Sequence, residues 1–97
     1  QIAINPETNN IDCLGNIEEE TKQVFKNLKA VLNAGGATFD DVIKTTIFLT
    51  DLKNFQIVNN VYSNFLGGKD SPARACVEVS SLPKGVMIEI DCVAFVD

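Results

Sequence analysis

The chain of 97 residues has 45% apolar residues, 22% charged residues and a formal net charge of −5 at neutral pH. This length and composition predict one ordered domain, residues 1–97, because single domains typically run from about 50 to 250 residues. The negative charge and the lack of a run of about 18 apolar residues argue against nucleic acid and membrane as partners.

The first predicted element is a short strand at residues 1–4. These residues alternate in a strand-like way, and a segment dense in turn formers, residues 5–10, follows them. Because the chain opens inside a strand and without an initiator methionine, we expect that a further N-terminal piece precedes Gln1. That piece would supply part of the sheet.

The next predicted element is a helix that begins after Asn16. Asn16 is a good N-cap with Glu19 three residues later, and the glutamates at 18–20 place negative charge at the positive end of the helix. Gly35 and Gly36 provide a left-handed stop. One apolar face recurs at helical spacing and consists of Ile17, Val24, Phe25, Leu28, Val31 and Leu32.

Residues 42–50 are rich in β-branched and apolar side chains, which predicts a buried strand. A second helix begins at Asp51 or Asn54 and ends at Gly67 and Gly68. Its predicted apolar face carries Phe55, Val58, Tyr62 and Phe65. A crossover of this length favours a parallel neighbour for the strand that follows.

The last third of the chain predicts two strands, residues 74–80 and 86–96, joined as a hairpin by residues 81–85. The full order is then β-α-β-α-β-β. Two helices on one face of a mixed sheet make a two-layer α+β domain.

The sequence contains no histidine and three cysteines. Cys13, Cys76 and Cys92 form no Cys-x-x-Cys pair, which is the usage expected of reduced intracellular thiols. The missing histidine removes the commonest metal ligand and the commonest general base. We therefore expect no metal, and chemistry based on carboxylates, arginine, backbone groups and water. A cytoplasmic location is expected, and targeting to an organelle by a segment before Gln1 stays open.

Alternation along the strand after Pro72 places Arg74, Cys76 and Glu78 on one face. A hairpin centred near Pro83 would place Asp91 opposite Arg74 and Glu89 opposite Cys76. A cation, a thiol and carboxylates would then share one face. The competing interpretation is structural, with Arg74 paired to one of these carboxylates only to hold the sheet.

The other residues that stand out have structural interpretations. Cys76 and Cys92 are expected to pack as small apolar side chains. Tyr62 is expected in the core, and the glutamates at 18–20 are expected to form a solvated face.

Three motifs resemble the reactive intermediate deaminase family, known as RidA/YjgF. They are PARACV at residues 72–77, LPKG at 82–85 and IEI at 88–90. The segment from Asn16 through Phe55 also follows the family, so the resemblance covers nearly the whole chain. It is specific, because the arginine and glutamate motifs stand in the family's order and at its separation.

The resemblance implies a chorismate-mutase-like α+β subunit that forms a homotrimer with three clefts at the subunit boundaries. It also implies hydrolysis of 2-iminobutanoate and 2-iminopropanoate, released by pyridoxal-phosphate enzymes, to 2-keto acids and ammonia. Small 2-imino and 2-keto acids are the expected partners, and no cofactor is expected.

The resemblance also assigns residues to the site. Arg74 matches the arginine that binds the substrate carboxylate, and a planar guanidinium suits that task. Cys76 matches the position whose backbone and thiol line the pocket. Glu89 matches the glutamate that orients or activates the attacking water, and Asn59 matches an asparagine near the cleft.

The chain departs from the family in two places. A Ser-Gly pair and an earlier strand with a pocket-closing tyrosine normally precede the position of Gln1, and they lie outside this chain. The stretch at residues 66–71 is short for the family, which affects the rim of the cleft.

Three other functions stay open at this point. The same cleft could bind 2-keto acids as a sensor without turnover. RNA cleavage with inhibition of translation is attributed to the family, but the charge of −5 gives it little support. A purely structural interaction protein is the third.

Overall fold

The computed structural model describes residues 1–67 and 71–97 of the chain. In chain order the helices and strands are α1 (Ile17–Ala34), β1 (Val42–Leu49), α2 (Phe55–Leu66), β2 (Ala73–Glu78) and β3 (Ile88–Ala94). Short 3₁₀ turns precede β1, α2 and β3. The predicted stop at Gly68 and half of the stretch predicted to be short, residues 68–70 of 66–71, lie outside the described residues.

Helix α1 begins and ends with the signals that its sequence predicts. The side chain of Asn16 accepts a hydrogen bond from the backbone N–H of Glu19. At the other end Gly36 adopts a φ of +81°, and Ala37 N–H donates to the carbonyl of Leu32. This closure, with Gly36 in the left-handed conformation, is a Schellman motif. The predicted apolar face is buried except at one position.

The exception is Val31, which is 54% exposed. Because 3.6 residues make one turn, Val31 lies at the edge of the apolar stripe, and no described element covers it. Val31 therefore belongs to the predicted apolar face but not to the core.

Two polar residues begin the second helix. Asp51 caps the turn Leu52–Asn54 through a hydrogen bond from Lys53 N–H, and α2 then begins at Phe55 directly after Asn54. The two alternative starts therefore mark two successive turns.

The sheet has three described strands in the order β2-β1-β3. β1 pairs with β2 in parallel, as the crossover predicted, and with β3 antiparallel. The predicted hairpin between the last two strands is wrong, because β1 lies between them. Nine residues, 79–87, separate the end of β2 at Glu78 from the start of β3 at Ile88, far more than a tight two-residue turn needs.

Both helices pack on one face of this sheet and enclose a single main core. Phe25 of α1 is stacked on Phe65 of α2 at 4.8 Å between ring centroids. Ile47 and Leu49 of β1 and Ile90 of β3 are fully buried beneath the helices. The fold is therefore the predicted two-layer α+β arrangement. No helix in the described ranges is long and apolar enough to cross a membrane.

The opening residues do not form an assigned strand, although Gln1 exchanges two backbone hydrogen bonds with Ile90 of β3. Asn27 of α1 holds the same segment through hydrogen bonds from its side-chain amide to the carbonyls of Ile2 and Ile4. Backbone pairing with the edge of β3 is thus limited to Gln1, and one bonded pair is too little for a ladder.

Glu20 departs from the prediction of a solvated glutamate run, because its side chain is fully buried. Its two carboxylate oxygens accept hydrogen bonds from the backbone N–H groups of Gly15 and Met87. Buried carboxylates require such partners. Glu20 therefore ties the start of α1 to the start of β3.

Candidate active site

Arg74 lies on β2 with its guanidinium against helix α2. The guanidinium carbon is 4.8 Å from the ring centroid of Tyr62 and 5.3 Å from that of Phe55, both within cation–π range. Its Nη1 donates a hydrogen bond to Oδ1 of Asn59. Because Phe55, Asn59 and Tyr62 are four and three residues apart, they share one face of α2. We call these three side chains the arginine cradle.

One member of the arginine cradle is fixed from the core side. The Tyr62 hydroxyl and Thr45 Oγ1 are hydrogen-bonded at 2.8 Å, and both residues are buried. The ring of Phe25 meets the Tyr62 ring edge-to-face at 5.8 Å. Thr45 is also the register partner of Arg74 in the parallel β1–β2 pair. Thr45 is therefore linked to Arg74 by the strand pairing and to Tyr62 by the side-chain hydrogen bond.

Neither predicted carboxylate is near Arg74. Side chains of paired residues point to the same face, so Arg74 and Cys76 share the helix-covered face with their partners Thr45 and Ile47. Glu89 and Asp91 pair with Phe48 and Thr46 and point to the opposite face. The predicted juxtaposition of these carboxylates with Arg74 and Cys76 was therefore wrong.

The structural ion pair proposed for Arg74 is absent as well. Within residues 1–67 and 71–97, the ion pairs are those of Lys22 with Glu18 and Glu19 on α1. The aromatic rings and the amide of the arginine cradle hold the guanidinium instead. Its charge is therefore not neutralised by any described carboxylate, which suits it to an anionic ligand.

Cys76 lies two residues from Arg74 on the same face of β2. Burial raises the pKa of its thiol above the ordinary value, and the nearby Arg74 charge only partly opposes that shift. The thiol is therefore protonated near neutral pH and is a poor nucleophile. The groups of Cys76 that are suited to bind a ligand are therefore its backbone N–H and C=O.

The backbone of Cys76 points to the outer edge of the sheet. Val79 N–H donates to the carbonyl of Leu49 on β1. Because successive residues of a strand direct these groups to alternate sides, the N–H and C=O of Cys76 point away from β1. They lie on the side where the described sheet has no further strand. A second donor thus accompanies the Arg74 guanidinium.

A cavity of about 440 Å³ opens beside Arg74. It is bounded by the end of α2 and the start of β2, so helix and strand termini form its walls. Its lining residues are Asn59, Tyr62, Ser63, Gly67, Ser71, Pro72 and Arg74. Gly67 is required at this corner, since a Cβ there would lie 2.3 Å from the carbonyl oxygen of Ser63.

The structure brings Arg74, Cys76 and Asn59 together and leaves Glu89 apart. Sequence reasoning missed Thr45, Phe55 and Tyr62 as parts of the site. The spacing of Phe55 and Tyr62 around Asn59 was the available signal, since it places both aromatic rings beside a predicted site residue. No group of three or more Cys, Asp or Glu side chains in the described ranges could hold a metal ion.

A family model described as Endoribonuclease L-PSP matches residues 1–96 of the chain. Among curated relatives, the RutC family protein slr0709 of Synechocystis is 49% identical over 94 residues, which are 97% of this chain and 72% of that protein. A 2-iminobutanoate/2-iminopropanoate deaminase of Rattus norvegicus is 42% identical over 94 residues, with 97% and 67% of the two chains covered.

Solved structures show the same fold. RidA from an Antarctic Psychrobacter species superposes with a TM-score of 0.92 at 36% identity. That alignment covers 99% of this chain and 76% of the Psychrobacter chain.

Proposed function

Because this chain belongs to the endoribonuclease L-PSP family, the family of the reactive intermediate deaminases, we propose that it hydrolyses small 2-imino acids to 2-keto acids and ammonia. The observation that carries the proposal is the Arg74 guanidinium, held in the arginine cradle beside an open cavity and without a described carboxylate partner. The relative named as a 2-iminobutanoate/2-iminopropanoate deaminase supports the choice of substrate. The charge of −5 disfavours RNA.

Arg74 binds the substrate carboxylate through paired N–H donors, and the outward N–H of Cys76 is the second donor at the same end of the cleft. This grip fixes the position of the imine carbon, which makes attack by a bound water effectively intramolecular. Asn59 holds one end of the guanidinium and leaves its other N–H groups for the ligand. The neutral Cys76 thiol lies two residues along β2 from Arg74, outside the described lining of the cavity, and forms no bond to the substrate.

Hydrolysis proceeds in two steps. The water oxygen forms a bond to the imine carbon, the water proton passes to a carboxylate, and the C=N π electrons move to nitrogen, which takes up a proton. The resulting 2-amino-2-hydroxy acid then loses ammonia, as the C–N bond breaks and the hydroxyl becomes the keto carbonyl. A carboxylate is sufficient as the proton acceptor and donor, so histidine is not required.

Glu89 is the proposed carboxylate, and it acts on the cleft of a neighbouring copy. With β1 between them and strands about 4.8 Å apart, β2 and β3 lie roughly 10 Å apart, and Glu89 and Arg74 point to opposite faces. One chain therefore does not bring the two side chains together. A homotrimer of single RidA-like domains, packed through the open sheet face, brings Glu89 of one copy to Arg74 of the next.

Coupling a threonine dehydratase to the protein tests the activity. The dehydratase releases the enamine that tautomerises to 2-iminobutanoate, and 2-ketobutanoate formation is followed with and without the protein. We expect a rate above that of spontaneous hydrolysis. An unchanged rate in the presence of a folded trimer would overturn the proposal.

Mixed trimers test the shared cleft. Arg74→Ala and Glu89→Gln subunits are each expected to be inactive alone. When they are co-expressed in equal amounts, about a quarter of the clefts should contain both native residues if the two come from different copies. Activity near a quarter of the wild-type value is expected, and no regained activity would contradict a shared site.

A binding protein without turnover is the second candidate. The raised thiol pKa of Cys76 and the absence of a carboxylate among the described lining residues of the cavity favour it, since both leave the pocket without a reactive group of its own. Titration of 2-ketobutanoate separates the two functions. A sensor binds this keto acid and leaves the rate of imine hydrolysis unchanged.

A further inference from the structure

Tyr62 is the one member of the arginine cradle that is held rigidly by the core. Its side chain is 5% exposed, its hydroxyl is bonded to the fully buried Thr45, and its ring meets Phe25 edge-to-face. Phe55 and Asn59 are only partly buried. The rigid ring is also the nearer of the two aromatic rings to the Arg74 guanidinium, 4.8 Å against 5.3 Å.

Arg74 needs such support because it is a long side chain on an exposed strand position. A free arginine loses about 2 kcal/mol of rotamer entropy when it is fixed, and a site that fixes it in advance spares the ligand that cost. A flat ring beneath a guanidinium restrains the plane of the guanidinium while leaving its N–H edge available.

The contacts of Tyr62 and Arg74 form a closed loop. Arg74 lies over Tyr62, Tyr62 is bonded to Thr45, and Thr45 pairs with Arg74 across β1 and β2. Because the tyrosine ring is fixed at its hydroxyl and at its helix backbone, it cannot swing away from the guanidinium without breaking the Thr45 bond.

We propose that Tyr62, locked by Thr45, is a positioning residue that presents the Arg74 guanidinium edge-on to the cavity for a carboxylate ligand. The inference rests on the proposed function for the identity of that ligand, and on the geometry alone for the restraint of Arg74. The proposal gives the two parts of Tyr62 different roles: the ring orients Arg74, and the hydroxyl orients the ring.

Three variants separate these parts. Tyr62→Leu removes the ring and should weaken 2-ketobutanoate binding about tenfold and raise KM by a similar factor. Tyr62→Phe keeps the ring and should recover most of this loss, with KM within about threefold of wild type. Phe65→Leu is the matched control, because Phe65 lies on the same helix and packs on Phe25, whereas the described rings that face the Arg74 guanidinium are Phe55 and Tyr62.

The control decides between positioning and general stability. Both leucine variants remove an aromatic ring from one cluster, so both should lower the melting temperature. Only Tyr62→Leu should change KM and the 2-ketobutanoate affinity. Wild-type affinity in folded Tyr62→Leu, or an equal loss in Phe65→Leu, would overturn the proposal.

Nuclear magnetic resonance of the Arg74 side chain tests the restraint without any ligand. In the wild type its Nε–H should be ordered on the picosecond to nanosecond timescale and shifted by the Tyr62 ring current, and both features should disappear in Tyr62→Leu. An unchanged Arg74 signal would overturn the proposal. A wild-type protein that shows this signal but neither binds 2-ketobutanoate nor hydrolyses imine would refute the proposed function and leave the restraint intact.

If Tyr62→Leu does not fold, the double variant Tyr62→Phe with Thr45→Val tests whether the bond between Tyr62 and Thr45 affects ligand binding. It removes both hydroxyls together and leaves no buried polar group unpaired, so stability should change little. A KM about threefold above wild type is expected. A wild-type KM would show that the lock on the ring does not matter.

Discussion

The two faces of the sheet differ in how far one chain completes them. On the helix-covered face, Arg74 is held by an aromatic ring, an amide and, through Tyr62, the buried Thr45. On the open face, Val77 and Val93 are 43% and 53% exposed, and Glu89 lies among them without a described helix above it. The first face holds an ordered arginine, whereas the second is apolar surface that also carries two carboxylates, Glu89 and Asp91.

Under the proposed function, this difference means that a single copy is insufficient for hydrolysis. The proposed carboxylate-binding residue, Arg74, is held in place within one chain. The proposed acid–base residue, Glu89, lies on the opposite face of the sheet. Apolar side chains that are clustered on a sheet face usually mark a contact with another protein surface. In the proposed trimer, the open face would therefore provide both the contact between copies and the residue that completes the clefts.

The largest expected effect comes from placing a charge on the open face. Val77→Asp should convert the trimer to monomers and abolish turnover, because a carboxylate buried in an apolar contact is strongly unfavourable. Ile57→Asp on α2 is the matched control, since Ile57 is 42% exposed and lies on the helical side. Sedimentation of both variants checks the comparison. If Val77→Asp remained trimeric, or if Ile57→Asp became monomeric, the proposal that the copies assemble through the open face would be wrong.

The next effect concerns the ordered arginine. Arg74→Ala should lower kcat/KM by about 10- to 100-fold, since charge-assisted hydrogen bonds contribute roughly 1.5 to 3 kcal/mol. Arg74→Lys should also be impaired, because an ammonium cannot offer two parallel donors.

Melting temperature and oligomer mass complete that experiment. Arg74 has no described ion pair, so its loss should leave both nearly unchanged. A folded Arg74→Ala trimer with wild-type turnover would refute the role of this residue. A collapse of stability in parallel with activity would support a structural role instead.

Local patterns were sufficient to predict most of the fold and the shared face of Arg74 and Cys76. The cap at Asn16 and the stop at Gly36 depend on neighbouring residues only, and both are present. Strand alternation correctly placed Arg74 and Cys76 on one face, because the period of two is a property of the strand itself. These features require no knowledge of the partner strand.

The failures depend on distant partners. Glu89 was placed opposite Cys76 because the last two strands were taken as a hairpin, whereas β1 separates them. A strand's pattern shows which residues share a face, but not which strand it pairs with or in what register. Glu20 was misjudged for the same reason, since its two partners, Gly15 and Met87, come from separate parts of the chain.

The smallest expected effect on turnover tests whether the helix-covered face contributes a reactive thiol. Burial raises the pKa of Cys76, so near pH 7 the sulfur is protonated and is not expected to react. Cys76→Ser keeps the outward backbone N–H that the ligand uses, and turnover should stay within about threefold of wild type. A loss of tenfold or more in a folded Cys76→Ser trimer would show that the sulfur takes part in the reaction.

The same raised pKa predicts how stability changes with pH. The unfolded thiol loses its proton near pH 8.5, while the folded thiol keeps it to a higher pH. Unfolding therefore releases a proton above about pH 8.5, and stability falls with rising pH until the folded pKa is passed. Serine does not ionise in this range, so the alkaline decrease in melting temperature should be shallower in Cys76→Ser than in wild type. If the melting temperatures of the two proteins decreased equally with alkaline pH, the Cys76 thiol would be more hydrated than its burial indicates. The helix-covered face would then differ less from the open face at this residue.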